Sequence, residues 1–438
     1  MKTQITRTSP IFTSFRVEQL RGMFDVPNRT EITTTWDVNL PIEERPWLIG
    51  LIVGASGSGK TTIANEVFKD AYIHQAFDWP EKAALIDGFD KKLSSKAVTE
   101  TLSSVGLSSP PHWLKPFGHL SNGQKFRAEL ARLVLSGHKR VVFDEFTSVV
   151  DRDVAKICSA TLAKTIRRKK EPQLVAVSCH FDVLDWLQPD WVYDVGANRF
   201  EWRSLQRRPA IQLKIYHADV SAWPLFRGHH YLTADISKAA RCFVAEWNGK
   251  PVAFTSYLHH PHGQVANLKR AHRTVCLPDF QGVGIGNALN EAVAEYVIKQ
   301  GFQFRSTTSH PAMIEHRLRS PKWVCVRPPS HVGHPGVSGL VNKASTGRIT
   351  ASFRYVGTGA KKALEVPQVS RKLPDAQKGD EKTNTASDAP SGVLRRNRNG
   401  AKGSRVSTVE TALVSASERG ERSNERPAGT GAGATQVR

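Results

Sequence analysis

Apolar and polar positions alternate in two distinct textures along the chain. From about residue 15 to about 202, short continuous apolar runs are separated by stretches with helical spacing, the pattern of a layered α/β unit with buried parallel strands. "RPWLIGLIVGASGSGKTTIANEVF" passes from an apolar run through glycines into a helical pattern, and "KRVVFDEF" and "QLVAVSCHFDVL" supply two more buried-strand candidates. A basic, proline-bearing stretch, "RSLQRRPAIQ", then breaks the rhythm. Beyond it, "FVAEWNGKPVAFTSYL" predicts a β-hairpin whose two alternating runs meet at Asn248-Gly249, a dipeptide that accepts a type I′ turn. "RTVCLPDF", "FQFRSTT" and "ITASFRYVG" predict further strands, and "NALNEAVAEYVIKQ" a helix with Leu289, Ala292, Val293, Tyr296 and Val297 on one face. The pattern therefore predicts an α/β domain over 1–205, a second, mixed-sheet α/β domain over 206–359, and a disordered tail over 360–438, where aromatics nearly vanish.

Composition sharpens this picture in three places. The chain has 438 residues, too many for one ordinary core, and a formal charge of +21, which favours polyanionic partners. From residue 361 onward there are 15 Lys/Arg against 9 Asp/Glu, so most of the positive excess sits on the part predicted to fold. The five cysteines are scattered and lack CxxC spacing, which argues against a disulfide framework or a zinc knuckle and fits a reducing cytoplasm. No run approaches the roughly 18 apolar residues of a spanning helix, and the first residues lack the apolar segment of a signal peptide, so a soluble cytoplasmic protein is expected.

The clearest chemistry lies at Gly54-Ala55-Ser56-Gly57-Ser58-Gly59-Lys60-Thr61, which fits G-x-x-x-x-G-K-[ST] between a strand and a helix. Glycines there let successive backbone N–H groups wrap the phosphates of ATP, with Thr62 in the same first turn. Lys60 reaches the β- and γ-phosphates, and the Thr61 hydroxyl ligates Mg²⁺. Further on, "VVFDE" ends a strand on Asp144, an acid placed to hold the magnesium through water, and Glu145, placed to orient or deprotonate the attacking water.

Leu120-Ser121-Asn122-Gly123-Gln124 resembles the LSGGQ signature of the ABC ATPase family, with Asn122 in place of the first glycine. The helix behind it carries Phe126, Leu130, Leu133 and Val134 on one stripe, so its first turn offers amide groups to a phosphate. In that family the γ-phosphate belongs to the facing subunit, which implies a head-to-tail homodimer closed by ATP and places Ser121, Gly123 and Gln124 at the nucleotide. The resemblance continues in chain order through "SVVD", with Asp151 as the D-loop acid, and "VSCH", with His180 as the switch histidine. It also implies an aromatic that stacks on adenine, for which Phe24 is the candidate and Trp36 the weaker one. Only about 60 residues separate Lys60 from Ser121, so the helical subdomain must be small. No transporter-type Q-loop glutamine is placed, because Gln75 lies too close to Lys60.

A second glycine turn, Gln281-Gly282-Val283-Gly284-Ile285-Gly286, follows a predicted strand and opens the amphipathic helix. It resembles motif A of the GNAT acyltransferases, and the resemblance implies that these residues, with Val275 and Leu277 ahead of them, hold acetyl-CoA or another acyl-CoA by its pyrophosphate. GNAT enzymes often protonate the leaving thiolate with a tyrosine, yet residues 302–322 contain none. Ser309 and His310 are the nearest polar groups there, His260 and His272 flank the neighbouring strands, and "HHYL" at 229–232 lies where an acceptor loop begins.

Through "DEFTSVVDRDVAK", "VSCHFDVLDWLQPDWVYDV", "LPDFQGVGIG" and "TTSHPAMIEHRLRSPKW" the chain resembles bacterial and phage proteins that fuse an ABC-type ATPase to a predicted acetyltransferase domain. The implied function is a soluble ATPase coupled to an acyl-CoA-dependent N-acyltransferase acting on an amine of nucleic acid or protein. Two other readings compete with it. One is an ATP-gated nucleic-acid clamp with a non-catalytic GNAT module, and the other an ATP-binding subunit of a transporter.

Overall fold

The computed structural model describes residues 1–230, 235–263, 265–331 and 349–357, and the backbone of 408–414. The chain opens with strand β1 (Lys2–Pro10), helix α1 (Phe15–Phe24) and strand β2 (Glu31–Asn39), the two strands pairing antiparallel from Lys2↔Asn39 to Pro10↔Glu31. β1 precedes the region where the hydrophobic pattern predicted structure. Only Ile5 of its nine residues is buried, so it carries almost no apolar signal.

The central sheet of the first unit uses β3 (Ile49–Val53), β4 (Tyr72–His74), β5 (Arg140–Phe143), β6 (Gln173–Ser178), β7 (Trp191–Asp194) and β8 (Arg199–Trp202), in the spatial order β4-β5-β6-β3-β7-β8. The first five are parallel and β8 closes the edge antiparallel. All five residues of β3 are buried, as expected for a parallel strand covered on both faces. Gly50 of β3 is required by its neighbour: a methyl group there would overlap the indole of Trp191, which is fully buried between Trp47 and Phe68. The connecting helices are α2 (Lys60–Val67), α3 (Ser95–Ser104), α4 (Pro110–Trp113), α5 (Asn122–Val134), α6 (Arg152–Lys169) and α7 (Leu184–Leu187). After α2, α3 and α4 are the whole α-helical content before Ser121.

The second unit is one twisted sheet built from β9 (Ile211–Ala218), β10 (Arg241–Trp247), β11 (Lys250–His259), β12 (Leu268–Cys276), β13 (Gln303–Thr308), β14 (Trp323–His331) and β15 (Ile349–Tyr355). Its spatial order is β14-β15-β13-β12-β11-β10-β9, and helices α8 (Pro224–Arg227), α9 (Ile285–Lys299) and α10 (Pro311–Arg319) connect the strands. The hairpin turn between β10 and β11 has Asn248 and Gly249 at φ 51° and 75°, as the dipeptide predicts. Strands β12 and β13 are parallel, but they pair only over 268–270 with 303–305 and then part. α9 begins at the open end of that split.

One strand lies within the stretch read as a disordered tail. β16 (Thr408–Val414) pairs antiparallel with β9 and covers the sheet edge, where unpaired backbone groups attract an extended, β-branched segment such as "TVETALV". The other residues of 360–438 lie outside the described residues.

The two units share a core. Ile157 and Ala160 of α6 and Trp186 of α7 bury together with Trp247, Phe280 and Val283 of the second sheet's side, so the junction is packed like an interior. Among the described residues no helix is long and apolar enough to cross a membrane.

Gly50→Ala should overpack the Trp191 site and destabilise the first unit by about 2 kcal/mol or more. Denaturant unfolding followed by tryptophan fluorescence checks this through a midpoint shifted to lower denaturant.

Candidate functional site

In a doubly wound sheet, ligands gather beyond the carboxyl ends of the parallel strands. The glycine loop 54–59 follows β3, Asp144 and Glu145 follow β5, and His180 follows β6, so three adjacent strands deliver the ATP-site residues to one edge. Gly57 and Gly59 have φ of 78° and 97°, which a side chain would strain. Gly59 also leaves no room for one, since a Cβ there would come 2.6 Å from the ring of Trp36. The loop is held from that side, because Trp36 Nε1 donates to the Ser58 carbonyl at 3.0 Å. Lys60 is buried and its ammonium donates to the Ala55 carbonyl at 2.7 Å, inside the loop's curve. Thr61 and Asp144 present hard oxygen donors, the ligand type that suits Mg²⁺.

Two placements add to the sequence reading. Phe24, the adenine-stacking candidate, lies on α1, a helix with no buried residue, and is 68% exposed. The aromatic set against the phosphate loop is Trp36 of β2, the weaker candidate. Gln75, set aside for lying too close to Lys60, directly follows β4, whose His74 pairs with Phe143 of the Asp144 strand. A three-residue strand brings it to the site edge in far fewer residues than a long helical insert does. "YIH" was too short to register as a strand.

After β5 the backbone is strained. Glu145 and the fully buried, β-branched Thr147 adopt φ of 51° and 71°. Phe146 N donates to the Val177 carbonyl at 2.8 Å and Ser178 Oγ to the Phe146 carbonyl at 3.0 Å, pinning the bend to β6. Strain held this firmly at a strand end is characteristic of functional turns. Glu145 is left exposed at the tip.

The signature turn is a capping box. Ser121 Oγ accepts from Gln124 N at 3.4 Å, and Ser121 N donates to Gln124 Oε1 at 3.2 Å. Gln124's side chain is thus spent on the helix start, while Ser121 and Asn122 are exposed at it. Asp151 plays the equivalent part for α6, accepting from Asp153 N and Val154 N at 2.9 and 3.0 Å.

The second glycine turn lies at the start of α9. Gly284 is the helix N-cap at φ 95°, Gly282 has φ 94°, and both are exposed, whereas Gln281, Val283 and Ile285 are buried between them. Gly286 lies in the first turn of α9, Val275 is buried near the end of β12, and Leu277 is half-buried just past it. An alternation of open glycines and anchored side chains at a helix start makes a shallow anion cradle. Gln281 does not point into it: Oε1 accepts from Ser108 N at 3.1 Å and Ser108 Oγ at 2.7 Å, and Nε2 donates to the Cys276 carbonyl at 2.8 Å. Burial pushes the Cys276 thiol up to about 12, so it stays protonated beside the cradle.

The acid–base candidates are largely committed elsewhere. His310 Nε2 donates to the Ser108 carbonyl at 3.2 Å, and burial holds its pKa below the usual histidine value. His272 Nε2 accepts from Ser237 N at 3.3 Å, with burial lowering its pKa to about 4. Burial also lowers His260. His229 faces His112 of the first unit with ring centroids 5.8 Å apart, and residues 231–232 of "HHYL" lie outside the described residues. Beneath the parted strands Arg317 is fully buried, donating to Ser306 Oγ at 2.8 Å and Asn290 Oδ1 at 3.0 Å.

Comparison with known proteins agrees with the second unit's topology: residues 202–315 match the family model of the acetyltransferase (GNAT) family. No curated protein matches the chain. Among solved structures, the chain is similar to a dimeric bacterial ABC transporter cassette at 19% identity and TM-score 0.31, covering 39% of this chain and 90% of that one. A post-hydrolysis dimer of an ATP-binding cassette with ADP and Pi gives 16% identity and TM-score 0.33, covering 47% and 98%. The ADP conformation of an ATP-binding cassette of an ABC transporter gives 18% and 0.28, covering 44% and 87%. The strand order of the first unit and its ordered motifs are consistent with an ABC ATPase-like fold, and the GNAT match falls on the second unit.

Trp36→Ala should weaken ATP binding by about tenfold, the scale of a lost base-stacking or loop-supporting ring. Phe24→Ala should leave affinity unchanged. Titration with a fluorescent ATP analogue separates the two.

Proposed function

We propose that the chain is an ATP-hydrolysing ABC-type ATPase that works as a head-to-tail homodimer and controls an acyl-CoA-dependent N-acyltransferase. The observation that carries this reading is the pair of glycine turns, each with left-handed backbone at a helix start and each beyond the end of a parallel strand. In the first, the loop amides and Lys60 bind the triphosphate, while Thr61 and Asp144 hold Mg²⁺, which would offset charge on the β- and γ-phosphates. Glu145 orients the attacking water and takes its proton. Gln75 and His180 flank the γ-phosphate, and the partner's Ser121 and Gly123 close over it, with Asp151 beside them.

In the second, the amides of 282–286 hold the pyrophosphate of acyl-CoA, with Val275 and Leu277 lining the way for its pantetheine arm. The parted ends of β12 and β13 admit that arm toward the sheet. An acceptor amine attacks the thioester carbonyl, the new N–C bond forms, the C–S bond breaks, and the proton lost by the amine balances the one gained by the thiolate. A macromolecular acceptor, nucleic acid or a protein bound to it, is favoured by a net charge of +21, most of it outside the tail.

Glu145→Gln should slow ATP hydrolysis about 100-fold or more while leaving ATP bound. Gly284→Asp, which puts a carboxylate in the cradle at a left-handed position, should abolish acetyl-CoA binding. Mass spectrometry of nucleic acid and protein from cells carrying either variant should show an acyl mark, present with the natural chain, missing in both; a mark that persists with Gly284→Asp contradicts the transferase assignment.

A further inference from the structure

We infer that the acyl-CoA turn of one chain responds to the nucleotide held by its partner, through a strut made of Arg127, Asp279 and the Ser108–Gln281 contact. The inference rests on the two-site reading above and adds the route and direction of the coupling.

The route is visible at the junction. Arg127 on α5 is wholly buried, yet it donates to both sides: Nη1 to the Gly123 carbonyl at 3.2 Å and Nη2 to the Asp279 carbonyl at 2.7 Å, with the Asp279 carboxylate 3.5 Å away. Gly123 belongs to the signature turn, and Asp279 begins the segment that leads into the acyl-CoA cradle. The Asp279 carboxylate lies against the signature turn, since a Cβ on Gly123 would come 2.8 Å from Asp279 Oδ1. Three residues on there is a second close contact: Gly282 leaves no room for a Cβ, which would come 3.0 Å from Gly106 Cα and 2.6 Å from Thr161 Cγ2 on α6. Ser108, in the same loop as Gly106, holds Gln281 and His310, the residues that follow the two parted strands.

The direction follows from the helix starts. α5 begins at the signature and α6 at Asp151, the two elements that face the other chain's ATP in a head-to-tail dimer. Their backs pack on residues 279–283. Interior packing this close does not compress, so a shift of either first turn on closing over a phosphate must be passed to the turn behind it. The turn on a chain is thereby tied to the ATP in the partner's phosphate loop, not to the ATP in its own. By reciprocity, acyl-CoA must favour or oppose closure by the same factor.

The test measures acetyl-CoA affinity of the full chain by calorimetry, with and without saturating AMP-PNP and Mg²⁺. The natural chain should show a shift of about fivefold or more. Asp279→Asn and Ser108→Ala should each reduce the shift below about twofold while acetyl-CoA affinity without nucleotide stays within about twofold of the natural chain's, the small change expected when coupling alone is lost. Two tags then allow a mixed dimer to be isolated in which one chain carries Lys60→Ala and the other Gly284→Asp. Acetyl-CoA can bind only the Lys60→Ala chain, and the shift should survive because that chain's signature still grips the partner's nucleotide. Loss of the shift in the mixed dimer, an unchanged shift in both strut variants, or equal affinities with and without AMP-PNP in the natural chain overturns the inference, although the two-site function stands as long as both ligands bind. Failure of acetyl-CoA to bind the natural chain at all instead defeats the transferase reading itself.

Discussion

A buried guanidinium with half of its partners in another unit constrains everything else in this molecule. Arg127 has no exposed surface, so its charge must be answered by fixed carbonyls and a carboxylate, and these come from Gly123 on its own helix and Asp279 across the junction. Separating the units would leave that charge in an apolar setting with its hydrogen bonds broken. The signature turn and the segment entering the acyl-CoA cradle therefore cannot move independently, and the continuous core of Ile157, Ala160, Phe280 and Val283 beside them reinforces the same restriction.

On the proposed reading, each glycine turn solves one problem in the same way. A polyanion has to be bound by a protein whose side chains would crowd it, and glycines at a helix start expose amide hydrogens without crowding. The phosphate loop adds the buried charge of Lys60, held on the Ala55 carbonyl, whereas the second cradle has buried side chains at 281, 283 and 285 that fasten the turn from below. Gln281 shows the difference in use: as a motif residue it marks the cradle, yet its amide group serves the junction, leaving its backbone as the part that can meet a ligand.

Much of this was legible from residue order. The buried strands at 49–53, 140–143 and 173–178, the Asn248-Gly249 hairpin and both glycine turns stand in the sequence because their signals are local: apolar runs, a turn dipeptide, a strand–glycine–helix succession. What remained hidden depends on contacts between distant residues. Arg127 and Asp279 are separated by 152 positions, and nothing near either one announces the other. The place of Gln75 at the end of β4 was hidden because a three-residue strand has no readable period, and the contact of Trp36 with the phosphate loop depends on what packs on its strand, not on its own letters. β16 lies in a stretch whose composition says disorder, and its edge pairing is a property of β9 as much as of its own sequence.

The claim on which the rest depends is that the signature turn and the glycine turn at 281–286 move as one body. Hydrogen–deuterium exchange of the full chain with acetyl-CoA alone tests it most directly. Slower exchange is predicted at 282–288, where the ligand lies, and also at 106–109 and 121–127, which the ligand does not touch. Protection confined to 282–288, with the signature turn exchanging as before, would contradict it.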